Sequence, residues 1–312
     1  MPVLSETRQP SALATVLAQL QTVLLGKERQ IQLAVACLLA RGHLLIEDLP
    51  GMGKTLLSQS LANSLGLSYR RVQFTSDLLP ADLLGVSIFE QQEQRFRFHP
   101  GPIFSQVLLA DEINRASPKT QSALLEAMAE RQVSHEGETY PLPLPFFVIA
   151  TQNPIDQAGT FALPESQLDR FLMRLELGFP NRQAELAMLR GSDGDRPSAA
   201  LSSILNAEAL QELQLEVAKV RASDPLLEYL LALVQESRQR SQIPNPLSPR
   251  ASKAILAAAK AWAFLSGRDY VLPEDIQVIF PAVAEHRLRG SVTGQGDRRY
   301  AESLLESVDP VR

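Results

Sequence analysis

His43-Leu44-Leu45-Ile46-Glu47-Asp48-Leu49-Pro50-Gly51-Met52-Gly53-Lys54-Thr55 is an apolar strand that breaks into a proline and two glycines and ends on a lysine and a threonine, where a helix begins. That order of parts builds a phosphate cradle. Glycine-permitted turns aim several backbone N–H groups at one point, and the helix N-terminus adds positive potential. In such a cradle Lys54 reaches the β- and γ-phosphates of a nucleoside triphosphate, and the Thr55 hydroxyl is a ligand of Mg²⁺. The strict pattern G-x-x-x-x-G-K-[ST] asks for glycine where this chain has Asp48, while the Pro50 to Thr55 core is kept. A plain strand-to-helix turn with a solvent-facing lysine would also fit these residues alone, so the context decides.

The context is a series of short apolar strands: Leu44 to Glu47, Tyr69 to Phe74, Val107 to Ala110, Phe146 to Ala150 and Met173 to Leu177. Continuous rather than alternating apolar runs mean strands covered on both faces, hence a mostly parallel sheet sandwiched by helices. Two helices precede it, Ala12 to Leu25 and Lys27 to Ala40, broken at Gly26. Val86 to Phe98 alternates as a hairpin does, with Phe96 and Phe98 on one face and Arg95 and Arg97 on the other. Arg131 to Pro145 reads as a second loop or hairpin. Gly191 to Ala199 is a linker by composition. Beyond it helical spacing prevails over Ala207 to Ala222, Pro225 to Arg240, Ser248 to Leu265, Pro273 to Ala282 and Arg298 to Ser307. Residues 1–190 are therefore expected to form an α/β nucleotide-binding domain and 200–312 a small helical domain.

Composition narrows the class. The 312 residues are 45% hydrophobic with a net charge of -5, enough apolar material for a real core and no broad basic footprint for nucleic acid. Cys37 is the only cysteine, which excludes an internal disulfide and makes a buried structural thiol the expectation. No leader-like apolar region opens the chain and no apolar run approaches a membrane span, so a soluble, cytoplasmic protein is expected.

Further carboxylates and amides fall at the ends of the buried strands. Val107-Leu108-Leu109-Ala110 delivers Asp111 and Glu112 at the C-terminal edge, where open α/β sheets bind ligands. Asp111 would hold Mg²⁺ through its water shell, and Glu112 would polarise the attacking water. Asn153, just past the next strand, can orient that water without taking a proton. Arg170 lies in a polar turn ahead of the fifth strand, too far along the fold for its own phosphate, and suits a neighbouring subunit's site as an arginine finger. Arg250 stands in the first turn of a helix that Ser248 caps, where a cation opposes the macrodipole by about 0.3–1 kcal/mol unless an anion is near. It is the candidate for reading the nucleotide from the second domain.

These residues in this order resemble the MoxR-type AAA+ ATPases. Pro50, Gly51, Met52, Gly53, Lys54 and Thr55, followed by Leu56, are similar to Walker A; Asp111-Glu112-Ile113-Asn114-Arg115 to Walker B; Asn153 to sensor 1, Arg170 to the arginine finger and Arg250 to sensor 2. Gln73-Phe74-Thr75-Ser76-Asp77-Leu78-Leu79-Pro80 and Gly267-Arg268-Asp269-Tyr270-Val271 add to the likeness, which runs from about residue 11 to residue 290. The resemblance implies a P-loop AAA+ sheet followed by an all-α helical lid, ATP and Mg²⁺ as cofactors, and Leu25-Gly26 lining the adenine pocket. It makes Val86 to Phe98 the insertion shared with magnesium-chelatase motors. It implies a homo-oligomeric, hexameric ring that remodels partner proteins, with a von Willebrand factor A domain protein and a client among its partners. A nucleic-acid or chelatase-type motor and a nucleotide-gated scaffold are the alternatives.

Overall fold

The structure is a computed structural model that describes residues 11–153, 159–190, 201–288 and 299–310. The expected linker, Gly191 to Ala199, lies outside the described residues. Helices α1 (Ser11–Val23) and α2 (Glu28–Leu39) come first, followed by β1 (Leu44–Glu47), α3 (Lys54–Ser64), β2 (Tyr69–Gln73) and α4 (Pro80–Leu84). A hairpin of β3 (Gly85–Glu90) and β4 (Arg95–Pro100) leads to β5 (Val107–Asp111), α5 (Pro118–Glu130) and a second hairpin, β6 (Gln132–His135) and β7 (Glu138–Pro141). Then come β8 (Phe147–Gln152), α6 (Glu165–Leu168), β9 (Met173–Leu175) and α7 (Arg182–Leu189).

Five strands form one parallel sheet in the order β2-β5-β8-β1-β9. In β5, β8 and β1 side chains alternate between two apolar layers, which is why these strands read as unbroken apolar runs. The edge strand β2 is instead half exposed and polar, against the expectation of a covered apolar strand there. Leu44, Ile46, Val107, Leu109, Phe147 and Ile149 join one core with α1, α2 and α3. Leu45, Leu108, Ala110, Val148 and Ala150 join the other with Leu124, Leu125 and Met128 of α5. Strand β9 stops short of the expected Leu177 because the carbonyls of Leu177 and Gly178 turn to the buried ammonium of Lys27, at 2.8 and 2.7 Å. Both expected insertions are antiparallel hairpins.

The C-terminal helices are α8 (Ala207–Lys219), α9 (Asp224–Gln239), α10 (Pro249–Leu265), α11 (Pro273–Leu288) and α12 (Arg299–Ser307). Helix α8 ends before the expected Ala222 because Arg221 leaves it to bridge Tyr270. Helix α11 runs past the expected end and through Pro281, since buried Val283, Ala284 and Leu288 hold its last turns against the core. These helices do not stand apart. Ile255, Ala259, Ile279 and Phe280 belong to the same continuous core as Leu38 and Leu44, and Gln214 Nε2 donates to the Leu38 carbonyl at 2.8 Å.

Candidate functional site

Strand β1 ends at Glu47, and the next six residues make the turn into α3. Gly51 and Gly53 take φ of +83° and +88°, a region that strains any residue with a Cβ, and Gly53 is the N-cap of α3. A Cβ added at Gly51 would meet nothing within 4 Å, so the turn faces open space. Met52 and Leu56 pack against the core beneath it. Lys54 Nζ donates to the Asp48 carbonyl at 2.6 Å. Partial burial lowers its pKa, against the raising effect of Asp48, Asp111 and Glu112. An ammonium held at the turn and facing carboxylates is suited to a phosphate with a bound cation.

Asp48, the departure from the strict pattern, has a structural role. Its Oδ2 accepts from Gly178 N at 2.6 Å and its Oδ1 from Leu49 N at 2.8 Å. Lys27 grips the same Leu177-Gly178 turn from the other side. Asp48 thus ties the cradle to the segment after β9, a bond that glycine cannot make.

Asp111 and Glu112 sit at the C-terminal end of β5, at the same edge of the sheet as this turn and separated from β1 by β8. Thr151, wholly buried on β8, donates through Oγ1 to Asp111 Oδ1 at 2.6 Å and accepts from Glu112 N at 2.8 Å. Glu112 holds φ +57°, which swings its side chain out of the strand. Its Oε2 accepts from Gln73 Nε2 at 2.8 Å and lies 3.2 Å from Arg115 Nε. Arg71 Nε and Nη2 reach Asp111 Oδ2 at 3.0 and 2.7 Å. Asn153 follows β8 at the same edge. Hydroxyl and carboxylate oxygens are the hard donors that Mg²⁺ prefers, so Thr55 and Asp111 fit it once Arg71 yields.

Leu25 and Gly26 lie between α1 and α2, against the start of α7. A Cβ at Gly26 would fall 3.1 Å from Ala184 Cβ and 3.2 Å from Asn181 Nδ2, and Asn181 caps α7 by accepting from Ala184 N. The preceding Leu24 borders the cradle: its Cδ2 would lie 3.6 Å from a Cβ at Gly53.

Arg170 and Arg250 are elsewhere. Leu172 N donates to the His43 carbonyl at 2.8 Å, which sets the segment before β9 at the edge where the strands begin, opposite the cradle. Four residues of β1 separate the two edges, about 13 Å of strand. Arg170 donates to the Leu125 carbonyl of α5. Arg250 Nε lies 3.8 Å from Asp169 Oδ2. Arg250, the candidate for reading the nucleotide from the second domain, therefore stands with the Arg170 segment rather than at the cradle of its own chain.

The sequence alone assigned no role to Arg71, Gln73, Thr151 or Arg287. The first two had a usable signal, polar residues two apart at the end of a strand and so on one face. Arg287 had none, because its partners outside its own helix lie more than a hundred residues away.

Residues 43–173 match the sequence model of the ATPase family associated with various cellular activities (AAA), and residues 235–307 match that of the AAA lid domain. Fold and match together define an AAA ATPase, a class that implies ATP hydrolysis and typically binds ATP with Mg²⁺. The chain is 39% identical to the protein called Chaperone MoxR1 of Mycobacterium tuberculosis, over 93% of this chain and 79% of the relative. It is 44% identical to the uncharacterised protein YeaC of Bacillus subtilis, over 95% and 92%. A crystal structure from Cytophaga hutchinsonii superposes with a TM-score of 0.86 at 37% identity, covering 96% of this chain and 94% of that one. The chain belongs to the MoxR family of AAA ATPases. No helix among the described residues is long and apolar enough to cross a membrane.

Proposed function

We propose that the chain hydrolyses ATP at the C-terminal edge of its sheet, as a subunit of a hexameric ring in which a neighbour completes each site. The observation that carries this reading is the distribution of charge: Lys54, Asp111, Glu112 and Asn153 gather at one edge, while Arg170 and Arg250 stand at the other. Cations so far from their own cradle are suited to a second copy's phosphates.

In this reading Gly51, Met52 and Gly53 present backbone N–H groups to the phosphates and Lys54 holds the β- and γ-groups. Thr55 and Asp111 would hold Mg²⁺, which when bound would neutralise charge on the phosphate oxygens. Glu112 draws a proton from a water oriented by Asn153 as that oxygen bonds to the γ-phosphorus. The bond from the γ-phosphorus to the β–γ bridging oxygen breaks, leaving ADP and phosphate. Arg170 and Arg250 of the neighbour balance the charge that moves onto the oxygens.

The output is remodelling of partner proteins, in keeping with the chaperone name of the Mycobacterium relative. The β3–β4 hairpin exposes Ile88, Phe89 and Phe96, a surface for a protein, including a von Willebrand factor A domain partner or a client. Its Arg95 and Arg97 are paired with Glu93 and Glu90, which leaves little free positive charge for nucleic acid. Lys54→Ala is expected to lose binding of a fluorescent ATP analogue, whereas Glu112→Gln binds it and turns over at least about a hundredfold more slowly. Full turnover in Glu112→Gln removes Glu112 from the mechanism.

A further inference from the structure

Arg287 lies near the end of α11, yet its side chain is only 6% exposed. A cation in the last turn of a helix is favourable on its own account, and a bond from Nη1 to the Val283 carbonyl of the same helix fits that reading. The remaining donors do not. Nε reaches Asp169 Oδ1 at 2.7 Å, Nη1 donates to the Leu172 carbonyl at 3.1 Å, and Nη2 donates to the carbonyls of Phe171 at 2.8 Å and Asp169 at 3.3 Å. The adjacent His286 ring nitrogen Nε2 lies 3.1 Å from the Phe171 carbonyl. A buried guanidinium is costly unless its donors are used, and this one spends most of them on residues 169 to 172. Arg170 is inside that grip.

Asp169 extends the grip to a second element. Its Oδ1 faces the buried Arg287, and its Oδ2 faces the exposed Arg250 of α10 at 3.8 Å. One carboxylate between two cations fixes the spacing of the finger segment and Arg250, and only the outer cation is free to leave.

We infer that Arg287 is a positioning residue for the neighbour's reaction: it fixes the segment bearing Arg170 and, through Asp169, Arg250, so that one subunit presents both cations to the next. The inference rests on the reading that Arg170 acts in trans. It assigns the end of α11 to the interface machinery rather than to the chain's own pocket.

Arg287→Lys keeps the charge and removes the planar fork. It is expected to bind a fluorescent ATP analogue within about twofold of the parent and to lose at least about fivefold in kcat, the lower bound of typical coupling between sites. Mixing separates a positioning role from a structural one. Co-assembled with Lys54→Ala, which offers an intact finger, Arg287→Lys recovers turnover because its pocket is whole. Co-assembled with Arg170→Ala it does not, since both subunits offer a defective finger. Native mass spectrometry confirms the mixed assemblies, and Asp169→Asn carries the same test should Arg287→Lys fail to fold. Failure with Lys54→Ala, or recovery with Arg170→Ala, overturns the inference. The Arg170→Ala and Lys54→Ala pair is the control: no recovery there rejects the trans reading itself, and the inference with it.

Discussion

Arg71 reaches Asp111 with two donors, so at the residue scale the candidate Mg²⁺ carboxylate has a competing cation. The Arg71 side chain is 49% exposed, and solvent screening reduces what such a pair is worth to about 1 kcal/mol. Arg71→Ala is therefore expected to tighten Mn²⁺ binding in the presence of a non-hydrolysable ATP analogue by roughly fivefold, read by electron paramagnetic resonance. Unchanged or weaker Mn²⁺ binding would mean that Arg71 supports the metal site instead. The contrast with Lys54 shows what a sequence exposes at this scale. Gly51, Gly53, Lys54 and Thr55 are legible because their chemistry is local, the turn and the helix start being adjacent in the chain. Arg71, Thr151 and Arg287 act across strands or between a strand segment and a distant helix, and such pairings are written only in the register. Asp48 was legible as a departure, but its bond to Gly178 N was not.

At the scale of elements, β1 is anchored where it begins. His43 is 8% exposed, its Nδ1 accepts from Val148 N at 3.0 Å on the adjoining β8, and its ring meets Phe146 edge-on. Burial is the main cause that brings its pKa down from 6.5 to about 4, outweighing a hydrogen bond to the Met128 backbone. The fold thus keeps His43 neutral. Below pH 6.5 the unfolded chain takes up a proton that the native state refuses until about pH 4, so stability falls as pH falls through that window. Denaturant titrations should show a loss of about 2 kcal/mol between pH 7 and pH 5 that His43→Gln removes. An identical slope in the variant would assign the loss to other groups. The strands this histidine joins were legible because both faces are covered, which turns each into an apolar run. The ends of α8 and α11 were not, since Arg221 leaves its helix for Tyr270 and the packing of Val283, Ala284 and Leu288 carries α11 beyond the expected Ala282.

For the whole molecule, the sequence led to the expectation of two domains on either side of a Gly191 to Ala199 linker, but the apolar core crosses that boundary. Leu38 of α2 and Ile255 of α10 are at most 1% exposed and belong to one cluster that also holds sheet residues and the C-terminal helices. Opening a hinge there would return this surface to water at about 25 cal/mol per Å² of apolar area. In the proposed ring, motion driven by ATP is thus better placed between subunits, where Arg170 and Arg250 would meet a neighbour's phosphates, than within one chain. The same continuity predicts how the chain melts. In the absence of nucleotide, calorimetry is expected to show a single cooperative transition, with calorimetric and van't Hoff enthalpies equal. Leu38→Ala and Ile255→Ala, one on each side of the boundary, should each cost about 2–5 kcal/mol and move that transition as a unit. Two transitions, with each substitution shifting only its own, would separate the lid from the sheet and return the moving hinge to the inside of the subunit.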